Sequence, residues 1–98
     1  MNYYPEVVQA IALSDYHIAV YFSDGHIKEY DMNPMIRKGG VFRSLEDKRI
    51  FNGRLTVMNG TAAWDLDGSR DETKCIDIDP FELYEGTEIT DPLEDKTA

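Results

Sequence analysis

The sequence predicts an α+β fold: an antiparallel β-meander of three strands, a second hairpin with a further strand, and two or three short helices. Three observations predict it. Asp24-Gly25 stands between two alternating runs, Asn59-Gly60 stands between two more, and proline directly follows Asn33 and Asp79. Asx-Gly pairs supply the positive φ that a tight hairpin needs. Asx-Pro pairs match a helix start, with a capping side chain and then a residue whose φ is already helical. The chain of 98 residues makes one domain, long enough to bury a core without metal or disulfide support.

In chain order, residues 7–13 are apolar-rich and β-prone and form strand one, and Ser14-Asp15-Tyr16 turns the chain. Residues 17–23 and 26–31 are strands two and three, joined by a two-residue turn at Asp24-Gly25. That register sets Phe22 opposite Ile27, Val20 opposite Glu29 and Ile18 opposite Asp31, with His26 opposite Ser23. Ile18, Val20, Phe22 and Ile27 then share the buried face, and Tyr21 and Tyr30 fall on the other. Asn33 caps a short helix over residues 34–38, which Gly39-Gly40 ends. Ser44 opens a second helix over 45–52 with Asp47 at the capping-box position, and Gly53 stops it. Residues 54–58 and 61–66 form the second hairpin, with Trp64 in or near the core. Residues 74–78 alternate, with Ile76 and Ile78 on one face. Asp79 caps a third helix that Phe81, Leu83 and Tyr84 dock and Gly86 ends. The domain is expected to span 1–86. Residues 87–98 are acidic, contain Pro92, lack periodicity and read as a disordered tail.

Charge narrows the function classes. Residues 1–64 carry seven acids and seven bases. Residues 65–98 carry twelve acids against three bases, the whole of the net charge of −9. A surface this acidic disfavours nucleic-acid binding, which needs cations against phosphate. Residues 37–54 run the other way, with Arg37, Lys38, Arg43, Lys48, Arg49 and Arg54 against Glu46 and Asp47. The lone Cys75 forms no internal disulfide, the N-terminus lacks a basic, apolar leader, and no apolar run approaches a membrane span. These features set the expectation of a cytoplasmic protein with no membrane association.

A set of residues in fixed order resembles a known family. Val7-Val8, Asp24-Gly25, Asp31-Met32-Asn33-Pro34, Gly39-Gly40-Val41-Phe42, Leu45, Asp47, Phe51, Trp64, Asp77-Ile78-Asp79-Pro80 and Leu83-Tyr84-Glu85 are similar to the bacterial domain-of-unknown-function family numbered twenty-four forty-two. The resemblance covers roughly residues 5–86 and implies a small, β-rich protein without an established activity. Some members are encoded beside suspected toxins, which implies an antitoxin-like or partner-binding role. Others carry a C-terminal helix-turn-helix, for which this chain has no room after Tyr84, so direct DNA binding is not expected.

The segment Asp65-Leu66-Asp67-Gly68-Ser69-Arg70-Asp71-Glu72 places oxygen ligands at spacings like those of a calcium loop, with Asp65, Asp67, Asp71 and Glu72 as the candidates. The glutamate expected at the twelfth position falls at Ile76, and Arg70 opposes a cation. An acidic connecting loop is the plainer reading. His17 and His26 do not face each other across the predicted hairpin. Cys75 lies near Asp77 and Glu72, which raise a thiol pKa rather than lower it. No catalytic set or cofactor motif stands out, so the protein is expected not to be an enzyme.

The function expected is a non-catalytic protein-interaction module, antitoxin-like or regulatory. Tyr21, Tyr30, Arg37, Lys38, Arg43, Lys48 and Arg49 are its candidate contact residues. The partner is a protein, such as a small basic toxin-like one, or a second copy of the chain. A calcium-binding protein or small enzyme using residues 65–79 is the alternative.

Overall fold

The computed structural model describes residues 4–66, 68 and 75–93. Strands β1 (Val7–Ala12), β2 (His17–Phe22) and β3 (Ile27–Asp31) form the expected meander. The link between β1 and β2 is a 3-10 turn at Ser14–Tyr16, in which Asp15 and Tyr16 take φ of 57° and 63°. Positive φ is unusual for a bulky residue. Tyr16 is held there by its contacts: its ring meets the edge of Phe51 at 5.1 Å, and its hydroxyl donates to the Glu46 carbonyl at 2.5 Å.

The β2–β3 register differs from the expected one by a single residue. Tyr21 faces Ile27, Val20 faces Lys28, Ala19 faces Glu29, Ile18 faces Tyr30 and His17 faces Asp31. A two-residue turn of the expected type needs positive φ at both central residues, and only Gly25 has it, at 94°. The chain uses a three-residue loop instead. Gly25 N donates to the Phe22 carbonyl at 3.0 Å, and Phe22 N donates to the His26 carbonyl at 2.9 Å. The Asp24 carboxylate fixes this shape by accepting from His26 N at 2.9 Å. Because side chains alternate, the slip exchanges the faces of β3. Tyr30 packs against the core, and Ile27 moves to the outer face beside Tyr21.

Helix α1 (Asn33–Lys38) carries Pro34 in its first turn. Its cap is not Asn33 as expected. Asp31 Oδ1 accepts from Asn33 N at 2.9 Å, so the carboxylate reaches the first free amide from just outside the helix. Gly39 and Gly40, at φ of 83° and 64°, end α1 and open a 3-10 segment, Gly40–Glu46. Helix α2 (Lys48–Gly53) therefore starts later than predicted. Asp47, not Ser44, is its cap, accepting from Arg49 N at 3.0 Å. A carboxylate there also complements the positive end of the helix dipole.

Strands β4 (Leu55–Met58), β5 (Thr61–Asp65) and β6 (Cys75–Asp77) form a second antiparallel sheet in that order. Here the predicted Asn59-Gly60 turn holds, with φ of 54° and 74°. Helix α3 (Pro80–Tyr84) starts as predicted, with Asp79 Oδ1 accepting from Phe81 N at 2.9 Å. Leu83 is buried. Phe81, expected to dock, is instead half exposed and meets the edge of Tyr4 at 5.8 Å.

The expected end of the domain at residue 86 is also corrected. Strand β7 (Thr87–Glu88) adds to β3 and completes a sheet of order β1-β2-β3-β7. Ile89 N donates to the Ile27 carbonyl at 2.9 Å, and Tyr21 donates to Asp91 Oδ1 at 2.6 Å. Residues 94–98 of the expected tail lie outside the described residues.

The core lies between the two sheets and under the helices. Ile18, Val20 and Phe22 of β2 meet Met32, Leu45, Phe51, Trp64 and Leu83, all at or near zero exposure. Trp64 is the largest of them, and its Nε1 donates to the Phe51 carbonyl at 2.9 Å, which satisfies the one polar atom its burial strands. Val7 N donates to the Gly60 carbonyl at 2.9 Å and ties the two sheets at one corner.

Candidate functional site

The four-stranded sheet has a second face that the core does not use. Ile11 of β1, Ala19 and Tyr21 of β2 and Ile27 of β3 occupy it, as ladder partners or neighbours. None of the four belongs to the core cluster. Ala19 is fully covered by its neighbours, and the other three are half-buried. Residues 89–91 pass alongside, where Asp91 takes the Tyr21 hydroxyl. Burial first, and then this hydrogen bond to a carboxylate, push the Tyr21 phenol up to about 12.

Acids and one imidazole border this apolar patch. His17 Nδ1 donates to Glu29 Oε2 at 2.7 Å, and its Nε2 lies 3.5 Å from Asp31 Oδ1. The corrected register puts the three together: Asp31 is His17's ladder partner, and Glu29 stands two residues away on the same strand and the same face. Asp31 is held below the usual carboxylate range, chiefly by the Asn33 backbone N–H, then by the Asn33 side chain and the charges of His17 and Arg37. An open cleft of about 330 Å³ lies beside the cluster, lined by Leu13, Ser14, Asp15, His17 and Glu29. Its mouth is wide.

The other sequence candidates fall elsewhere. Tyr30 lies on the core side, where burial and then a hydrogen bond to Glu82 push its phenol up to about 12. Arg37 and Lys38 end α1, Arg43 lies in the 3-10 segment, and Lys48 and Arg49 open α2, all five exposed. Arg49 is paired with Asp47 at 3.1 Å, and the Lys48 ammonium sits 5.9 Å from the Tyr16 ring centre. The tyrosine pair is therefore split by the sheet, and the cations form a surface apart from Tyr21.

Of the metal candidates, Asp65 is buried on β5 opposite Cys75, while Asp67, Asp71 and Glu72 lie outside the described residues. The Arg54 guanidinium lies against Gly68 of the same loop. Among the described residues no three His, Cys, Asp or Glu side chains are grouped to hold a metal ion. The Cys75 thiol faces the Met58 sulfur at 3.3 Å on the other sheet from both histidines.

Sequence reasoning missed Ile11, Ile27, His17, Glu29, Asp31 and Asp91 as surface partners. A three-residue loop at Ser23-Asp24-Gly25 was the one sequence signal able to align His17 with Asp31 and Tyr21 with Ile27.

The fold and this surface define a small α+β module of two antiparallel sheets, one with a half-apolar face turned away from the core. The family model that matches is described as protein of unknown function (DUF2442), over residues 7–88. The chain belongs to that family. The match begins on the first residue of β1 and ends on the last of β7, so the family unit includes the strand that the sequence reading assigned to the tail. No curated protein and no solved structure matches the chain. No helix of the described residues is long and apolar enough to cross a membrane.

Proposed function

We propose that this chain is a non-catalytic protein-interaction module whose outer sheet face receives a basic protein. One observation carries the reading: Ile11, Tyr21 and Ile27 lie together on a face that contributes nothing to the core. An apolar centre supplies the water-excluding part of an interface, and a polar rim sets the partner. Here the rim is Glu29, Asp31 and Asp91, which complements a positive surface and speeds encounter with one. A small basic toxin-like protein fits that description, and the chain then acts as its regulatory, antitoxin-like cover.

Co-expression with the neighbouring genes tests this. A basic neighbour is expected to co-purify at low salt with the wild-type chain. It is expected to be lost from variants Ile11→Glu and Ile27→Glu whose circular dichroism is unchanged. A chain that emerges alone, or a neighbour held equally by both variants, contradicts the proposal.

A further inference from the structure

The charges of the described residues are sorted along the strand direction. At one end lies the β2–β3 loop. Tyr84 donates to Asp24 there at 2.6 Å, His26 meets Glu88 at 2.7 Å, and Ser23 N donates to the Glu6 carbonyl at 2.9 Å. Glu6, Asp24, Asp79, Glu85 and Glu88 are exposed at this end. Asp79 belongs to it because the preceding Ile78 carbonyl is held by Thr61, next to the Gly60 that bonds Val7. Lys28 and His26 are the cations here, and Glu88 engages both.

The opposite end is basic. The β1–β2 turn meets the helical segment there: Tyr16 bonds the Glu46 carbonyl at 2.5 Å, and Asn33 Nδ2 donates to the Asp15 carbonyl at 2.7 Å. Arg37, Lys38, Arg43, Lys48, Arg49 and Arg54 are all exposed on the segment, and Val41 stands among them at 69% exposure. Asp15, Asp31, Glu46, Asp47 and Asp65 offset all but one of these six charges: Asp65 is at this end because its N bonds the Arg54 carbonyl, and Asp47 is already bound to Arg49.

Strands of five or six residues set the two ends about 17–20 Å apart, at ~3.3 Å per residue. That is about twice the screening length of ~8 Å at physiological ionic strength. The ends therefore do not cancel each other within one molecule, and each presents its own field. We propose that the basic end of one copy docks on the acidic end of a second copy, head to tail along the strand direction. Charge complementarity selects this occupant, and Val41, exposed on the same 3-10 segment as Arg43, offers an apolar contact. Each copy keeps one free end, so the contact propagates into a ring or a short chain. The outer sheet face is not used, so this proposal stands or falls apart from the one above.

Sedimentation of the full chain across a salt series tests it. The wild type is expected to exceed its monomer mass of 11.2 kDa at low salt and to return to it near ~1 M salt, where screening acts within ~3 Å. Two charge reversals sharpen the test. Lys38→Glu with Arg43→Glu makes both ends acidic, and Glu6→Lys with Glu85→Lys removes the acidic end. Each is expected to stay monomeric alone, and a mixture of the two is expected to associate. A wild type that is monomeric at every salt overturns the proposal. So does association that survives both reversals, or a mixture that stays monomeric. The wild-type salt series decides the matter by itself if a reversed variant does not fold.

Discussion

Replacing Gly86 by alanine tests how the chain closes its sheet. An ideal Cβ at this position meets the Glu29 carbonyl oxygen at 2.6 Å and the Leu83 carbonyl oxygen at 3.1 Å. Ordinary carbon–oxygen approaches in sheets lie at about 3.3–3.6 Å. Backbone must therefore give by roughly 0.7–1 Å on that comparison, because neither neighbour is a side chain that can swing away. The movement falls where α3 hands over to β7, one residue before Thr87 pairs with Glu29. Overpacking of this kind costs about 1–3 kcal/mol. In a domain of this size that lowers Tm by about 4–8 °C for each kcal/mol. Thermal unfolding by circular dichroism reads the loss, and hydrogen exchange at Ile89 N, which bonds the Ile27 carbonyl, localises it to β7. A Gly86→Ala variant with unchanged Tm and unchanged exchange at Ile89 refutes the close approach.

Further expectations rest on single contacts. Trp64→Phe leaves the Phe51 carbonyl without its 2.9 Å donor and is expected to cost about 1–3 kcal/mol in urea unfolding. Asp47→Ala removes the α2 cap and is expected to lower stability by the same measurement, whereas Asp47→Asn, which can still accept from Arg49 N, is expected to keep most of it. Asp31 and Glu88 are both held below their ordinary values, Glu88 first by Lys28 and then by His26. A depressed carboxylate contributes stability above its unfolded pKa and loses it as pH falls through the folded one, so unfolding is expected to ease on acidification below about 4.5. Asp31→Asn and Glu88→Gln should each flatten that acid limb of a Tm–pH curve. Tyr21 and Tyr30, both raised to about 12, act with the opposite sign. Their contribution is complete below pH 10 and is lost between about 10 and 12, where phenolate absorbance of Tyr21→Phe and Tyr30→Phe should show one late-titrating group fewer.

Local chemistry made much of this fold legible. Asn59-Gly60 became the turn it predicts, because both residues take positive φ, and Asp79-Pro80 became a capped helix start because the carboxylate finds the Phe81 amide. Asp24-Gly25 misled for a specific reason. Asp24 prefers to bond His26 N from an ordinary backbone conformation, and the loop gains a residue. One residue of register then moved Tyr30 into the core and Ile27 out of it. β7 had no sequence signature, since two polar residues carry no periodicity. It exists through contacts that span the chain, from Glu88 to His26 and from Asp91 to Tyr21. The same holds for the His17, Glu29 and Asp31 cluster, which only the folded register assembles.

The most direct test of the outer face as a recognition surface is photo-cross-linking in the source cell, with a benzophenone side chain placed in turn at Ile11, Ile27 and Phe81. Ile11 and Ile27 stand on that face, and Phe81 is half exposed on α3. Adducts to one basic protein from positions 11 and 27, and none from 81, are the predicted result. Identical adducts from all three positions, or none from 11 and 27, contradict the account.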